Sequence, residues 1–356
     1  MWRTDVSPGL WLKDIHRVLN SYGRKWVQPS AGFHLKNCCS SDVPIAAREP
    51  YIVSGYRPIG TSINNCVYSA FKLHNETINF WTHFVAAIYF LSVFHTDMQN
   101  SWHSTERFIQ LMPCFAFAFS LSVCFSLSAI AHIFCSVSVE GRKALFVLDY
   151  AGVGANALGA AICYTAYIPE SWLPFGNRNA YSVMVVVFVS LAAAGCSVAM
   201  VYWSDWPAGQ GLKAASFGSI ALQGNIPLMW YLLALWKTDP EIAYNIGAHF
   251  WSYATLKLVA GFFLASCIPE RFFSKTFDLL GHSHQIFHVA SFFCVRSQYR
   301  LALALATVNV DPNVNAVWWR TFLTLTTGYL GLCLTAAFFI KEIYRLKETK
   351  GGLKSH

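Results

Sequence analysis

A chain of 356 residues with 26 Lys and Arg against 18 Asp and Glu has a formal charge of +8, yet only 12% of its residues are charged and 55% are hydrophobic. Soluble domains carry about a quarter charged residues, so this balance excludes an ordinary soluble enzyme, and the apolar residues fall in blocks of about 20, the length that crosses about 30 Å of hydrocarbon. The basic residues lie between those blocks rather than in one patch interleaved with aromatics, which excludes nucleic acid as a partner and points to membrane orientation.

Residues 1–76 read as a cytosolic N-terminal region, with Trp2, Trp11 and Trp26 among basic residues in an interfacial helix. Met1 to Ser69 has no short apolar core behind a basic start, so no cleavable signal peptide is expected and the first span serves as its own insertion signal. Asn75-Glu-Thr77 is formally a glycosylation sequon, but it abuts the first span, and Asn75 or Thr77 is expected to cap a helix there. The spans expected are 77–95, 107–135, 144–168, 179–203, 214–236, 245–268, 283–305 and 317–340, followed by a basic cytosolic tail, 341–356. The fold class is an all-α polytopic membrane protein. Pro113 and Pro227 are expected to kink their spans. Ala151, Ala155 and Gly159, and Ala192 to Gly195, form small faces that let helix backbones approach closely in lipid. Eleven Cys is an odd number, most of them inside spans, so no disulfide framework is read.

Orientation follows from Lys and Arg in the short loops. Nine precede the first span and five follow the last, so both termini are assigned to the cytosol. With Arg142, Lys143, Lys213, Arg271 and Lys275 on the same side, nineteen face inward, and only Arg107, Arg178 and Lys237 face outward. An even number of spans satisfies both ends at once.

That threading brings polar residues to one depth. His132 lies about one turn from the cytosolic end of the second span, Asp149 about one turn inside the third, and His284 and His288 begin the seventh. His284 and His288, four residues apart, share one helix face, where two imidazoles can reach one ion; the alternative is a polar interfacial turn. Ionisable groups at such depth are costly and usually face the bundle interior with a partner. Three histidines form a catalytic-type metal site with an open fourth position, which favours zinc over magnesium or calcium. Asp149 would be the base beside a water whose pKa the ion lowers toward ~7, and Ser128, on the face of His132, would hydrogen-bond that water or a carbonyl. The competing readings are a structural hydrogen bond for Asp149 and a bond to its own helix for Ser128. Cys135 is read as packing, His282 as an interfacial or supporting residue, and His83 as a hydrogen-bonding residue of the bundle.

Taken together, Gly55-Tyr-Arg57, His74-Asn-Glu-Thr-Ile-Asn-Phe-Trp-Thr-His83, the Ser128, His132 and Asp149 set and Gly281-His-Ser-His-Gln-Ile-Phe-His288 resemble the progestin and adipoQ receptor family, over about residues 50 to 290. The resemblance implies a seven-span bundle, here with an added eighth span, and a cytosolic N-terminus. It implies zinc held by His132, His284 and His288, with Asp149 and Ser128 beside it. Ile268-Pro-Glu-Arg271, Phe277-Asp-Leu-Leu-Gly-His-Ser-His284 and the eighth span look most like the membrane progestin receptor branch. That branch implies a plasma-membrane receptor binding a steroid or related lipid among membrane lipids, with a cytosolic signalling protein as partner. The family's site is similar to that of alkaline ceramidases, so a zinc-dependent lipid amide hydrolase is the alternative.

Lys257 lies near the middle of the sixth span and is a candidate donor to a ligand carbonyl such as a steroid ketone; Arg296 interrupts the seventh. Snorkelling or a bend at the span end is the competing account for each. A scaffold in which metal only ties three spans together is a third class of function, and the lack of an internal repeat or paired broken spans speaks against a transporter.

Overall fold

The computed structural model describes residues 37–203, 207–308 and 313–352. The expected interfacial helix with Trp2, Trp11 and Trp26, and the last residues of the tail, lie outside the described residues. Eight long helices run through the described chain: α1 (Thr77–Ser101), α2 (Thr105–Phe134), α3 (Val139–Tyr167), α4 (Arg178–Tyr202), α5 (Pro207–Thr238), α6 (Pro240–Ser266), α7 (Ser283–Val308) and α8 (Val314–Gly352). Each expected span overlies one of them. Five, namely α1 to α4 and the stretch Asn315–Thr349 of α8, are long and apolar enough to cross a membrane. The seventh helix is not among these, because Arg296, Gln298 and Arg300 interrupt its apolar run.

Their starts are fixed by side-chain caps that satisfy otherwise orphaned N–H groups. Ser104 accepts from the Arg107 amide, Ser138 from Gly141, Asn177 from Ala180, and Asp239, with Pro240 following it, from Ile242. At α7 the acceptor comes from elsewhere in the chain: the Glu270 carboxylate takes the Ser283 N–H at 2.8 Å and also the Ser283 hydroxyl. The start of α1 corrects the sequence expectation. Glu76 is the N-cap residue and no side chain caps the helix. Thr77 Oγ1 instead accepts from the His74 N–H and donates to the Lys72 carbonyl, closing the preceding turn.

Between helices in lipid there is little hydrophobic drive, so close backbone approach and shape do the packing. A Cβ on Gly159 would fall 2.9 Å from Phe117 Cα, and one on Gly152 3.1 Å from Cys124 Cα, so α3 lies nearly backbone to backbone on α2. The small face is Gly152, Ala155 and Gly159, spaced three and four as a 3.6-residue helix requires. Ala151, expected in that stripe, packs instead with Val147, Val201 and Ala336. The bundle centre is filled by Phe90, Phe117, Leu121, Phe125, Leu158, Tyr164, Leu301 and Leu305.

One end of the bundle, where α1, α3 and α7 begin and α2 finishes, carries a separate layer, residues 37–62. It closes on itself through an isolated antiparallel bridge between Cys38 and Tyr56 and a small cluster of Val43, Ala47, Ile52 and Tyr56. A two-turn helix, Ile63–Ser69, leads from it to α1.

Candidate metal centre

Three of the sequence candidates meet at that end. His132, from the last turn of α2, and His284 and His288, from the first turns of α7, each present one ring nitrogen to a set lying within 4.8 Å of one another. His132 and His288 are buried and His284 is half-buried. The Nε2 atoms of His284 and His288 are 3.2 Å apart.

Neighbouring groups fix which nitrogens carry lone pairs. Glu76 Oε2 lies 2.7 Å from His132 Nδ1, and a carboxylate only accepts, so the proton sits on Nδ1 and the lone pair on Nε2. Burial alone would push the Glu76 carboxyl up, but His132, Arg142 and the Asn79 amide together hold it well below the usual carboxylate range. In the same way the Asn79 carbonyl and Thr82 Oγ1, each 3.2 Å from His288 Nδ1, leave His288 Nε2 as the acceptor. Among the described residues, His132 Nε2 is buried without a hydrogen-bond partner. A tetrahedral ion with nitrogen ligands at about 2.0–2.1 Å sets those nitrogens about 3.3 Å apart, so an orphaned Nε2 and an Nε2 pair at 3.2 Å fit such an ion well.

One face of α1 forms the back wall. Glu76, Asn79 and His83, at i, i+3 and i+7, each engage a histidine of the cluster: the first two by the contacts above, His83 by stacking its ring on His288 at 3.5 Å and 9°. Asn79 also donates to Glu76 Oε2 at 2.7 Å, holding the carboxylate. The expectation that His83 hydrogen-bonds within the bundle is not met among the described residues, where both its ring nitrogens are buried without a hydrogen-bond partner. Stacking and the edge of Phe125 at 4.9 Å hold it instead. Sequence reasoning missed Glu76 by reading its neighbourhood as a capping turn. The signal was present in the Glu-x-x-Asn-x-x-x-His spacing, which puts one carboxylate, one amide and one imidazole on a single helix face.

Asp149, half-buried in α3, lies beside the buried Ser128 of α2 and within electrostatic range of His132. Cys135 is outside the nitrogen set; its sulfur accepts from Arg57 at 3.2 Å. His282 is buried, with Nε2 at 3.1 Å from the Asn75 carbonyl. Lys257 is not part of the cluster. Its Nζ donates to Tyr253 OH at 2.8 Å, and Asn225 donates to the same oxygen at 3.2 Å. It lies near Cys294, six residues beyond His288 and so about 9 Å further along α7.

Residues 71–299 match the family described as haemolysin-III related, a range that contains every residue of this centre. The chain is 32% identical over 330 residues to membrane progestin receptor gamma-B of Danio rerio, covering 85% of this chain and 91% of that protein. It is 31% identical over 328 residues to membrane progestin receptor delta of Mus musculus, with 85% and 90% covered. Membrane progestin receptor beta of Homo sapiens is 30% identical over 277 residues, 74% of each chain.

Proposed function

This chain belongs to the haemolysin-III-related family, that of the progestin and adipoQ receptors, and from that premise we propose that it is a multi-pass membrane receptor for a steroid or related lipid. The names of its relatives support the steroid class. One observation carries the rest of the reading: three imidazoles from α2 and α7 converge, with two of their tautomers fixed by α1. His132, His284 and His288 would hold zinc, and bound there zinc supplies Lewis-acid polarisation of a carbonyl. The site lies at the end of the bundle assigned to the cytosol by the basic loops, in the plasma membrane, where a change at the centre would be read by a cytosolic partner.

Around that position the chain's own groups divide the work. Glu76 and the Asn79 carbonyl keep the ring protons on Nδ1, so the Nε2 lone pairs of His132 and His288 would be the ones to hold the ion. Ser128 orients a ligand carbonyl or water, and Asp149 beside it accepts a proton. Lys257, deeper in the bundle and oriented by Tyr253, donates to a polar group of the lipid.

A second reading, a zinc-dependent lipid amide hydrolase of ceramidase type, draws on Asp149, since a purely structural centre has no use for a carboxylate beside an incomplete ligand set. The experiment is zinc content by elemental mass spectrometry with progesterone binding and ceramide hydrolysis on the same samples, for wild type, His284→Ala and Asp149→Asn. One zinc lost only in His284→Ala, with progesterone bound by wild type, supports the receptor reading. Ceramide turnover abolished by Asp149→Asn favours the hydrolase. Zinc-free wild-type protein sinks both.

A further inference from the structure

The metal ligands come from two helix ends, and one element outside the bundle touches both. Arg57, buried in the layer 37–62, donates from Nη2 to the carbonyl of His132 itself at 2.6 Å and from Nη1 to the Ile133 carbonyl at 2.6 Å. The guanidinium fork thus occupies the unpaired carbonyls at the end of α2, where a cation is also favoured by the helix dipole. Gly60 and Thr61 donate their N–H groups to the Ser136 carbonyl at 3.0 and 3.2 Å, just past the same end.

On the other side, Ser54 gives both its N–H and its hydroxyl to one oxygen of Asp278 at 2.7 Å, in the loop that leads into α7. Gly55 accepts from the Asn75 N–H at 2.9 Å, at the start of α1. Gly55 has φ +83°, a conformation that favours glycine, and a Cβ there would also press on a methyl of Leu279 in the same loop at 2.3 Å.

A charge chain completes the connection. Glu49 pairs with Arg142, Arg142 Nη1 lies 3.8 Å from Glu76 Oε1, and Glu76 holds His132. Behind it, a cavity of about 20 Å³ is lined by Tyr56, Arg57, Asn75, Glu76 and Arg142, room for one water.

We propose that residues 37–62 are a positioning collar for the metal centre. Arg57 sets the backbone of His132, Asp278 sets the approach of α7, and Glu49 through Arg142 and Glu76 sets the His132 ring. Metal affinity is then controlled from a layer that supplies no ligand, and anything that displaces this layer loosens the ion. The inference rests on the reading that the three histidines hold a metal. A shift of about 0.5 Å between the two helix ends suffices to spoil such a site, and supporting contacts of this kind are typically worth 10–100-fold in metal affinity.

The test uses full-length protein in detergent, with zinc affinity from chelator competition, the absorption spectrum of the cobalt(II) form and the thermal midpoint of the metal-free form. Arg57→Met and Asp278→Asn are expected to weaken zinc about 10–100-fold and change the cobalt spectrum, with the metal-free midpoint kept. The half-exposed Glu49→Gln, which threatens the fold least, is expected to weaken zinc by less, with a smaller spectral change. Wild-type affinity and spectrum in all three variants overturn the proposal while leaving the metal centre standing. So does a weakening in Arg57→Met and Asp278→Asn that only tracks a fallen metal-free midpoint, with Glu49→Gln unchanged. Wild-type protein that takes up no zinc overturns the metal centre, and this inference with it.

Discussion

Replacing Glu76 by Gln removes a charge from the wall of the site while keeping its shape. In the native site one carboxylate oxygen accepts from both His132 Nδ1 and Asn79 Nδ2, each at 2.7 Å, so an amide oxygen in that place preserves both contacts. The amide nitrogen must then face Arg142 at 3.8 Å, a donor toward a cation. Hydrogen bonds to a charged partner contribute about 1.5–3 kcal/mol against about 0.5–1.5 for neutral ones, so the exchange forfeits about 1–1.5 kcal/mol of ligand orientation and basicity. That is about a tenfold loss of zinc affinity. Chelator competition at fixed pH on protein of unchanged thermal midpoint measures it. Zinc affinity within twofold of wild type would mean that Glu76 holds the fold rather than the His132 ring.

Three further perturbations probe separate parts of the molecule. Burial, followed by the neighbouring Arg57, holds His74 down to about 3, and its Nδ1 already accepts the Glu76 N–H at 3.1 Å, so protonation breaks a bond. With a folded value below the unfolded ~6.5, its contribution is present above that pH and lost as pH falls, at about 1.4 kcal/mol per unit. The metal-free midpoint should therefore fall more steeply on acidification in wild type than in His74→Gln, and equal slopes would contradict this. Gly159→Val drives a side chain into Phe117 Cα and should destabilise the bundle by about 1–3 kcal/mol, read as a lower midpoint; an unchanged one would show that α2 and α3 can part freely. Lys257→Met should weaken progesterone binding about tenfold, the value of one charge-assisted hydrogen bond, and an unchanged affinity in protein that still traffics normally removes Lys257 from the ligand site.

The eight long helices and the three converging imidazoles were legible in the sequence because each rests on a local pattern: apolar runs for the helices, five of them long and apolar enough to cross a membrane, and histidines placed near helix ends for the cluster. Helix ends were legible only where polarity and helicity stop together. The first helix runs on to Ser101 past the expected 95, and α8 to Gly352 past 340, because His95, Asp97 and Lys341 to Lys350 leave the apolar block without breaking the helix. Glu76 was hidden for a different reason. Its surroundings at a helix start have a sufficient local explanation, and its partner His132 is 56 residues away. The same holds for Arg57 and Asp278, whose partners are 75 and 224 residues distant along the chain.

His132 and His284 lie 152 residues apart along the chain, which is synthesised from its N-terminal end. At about 5–20 residues per second of synthesis, roughly 8 to 30 s separate the appearance of the first donor from that of the second. During that interval Glu76, Asn79 and His132 already exist as a half-built receptacle, while the α7 donors do not. On the proposed reading, loading of a metal would therefore be a late event in the life of each molecule, possible only after the seventh helix has been made, and a chain truncated before residue 284 would carry the back wall of the centre with nothing to close it.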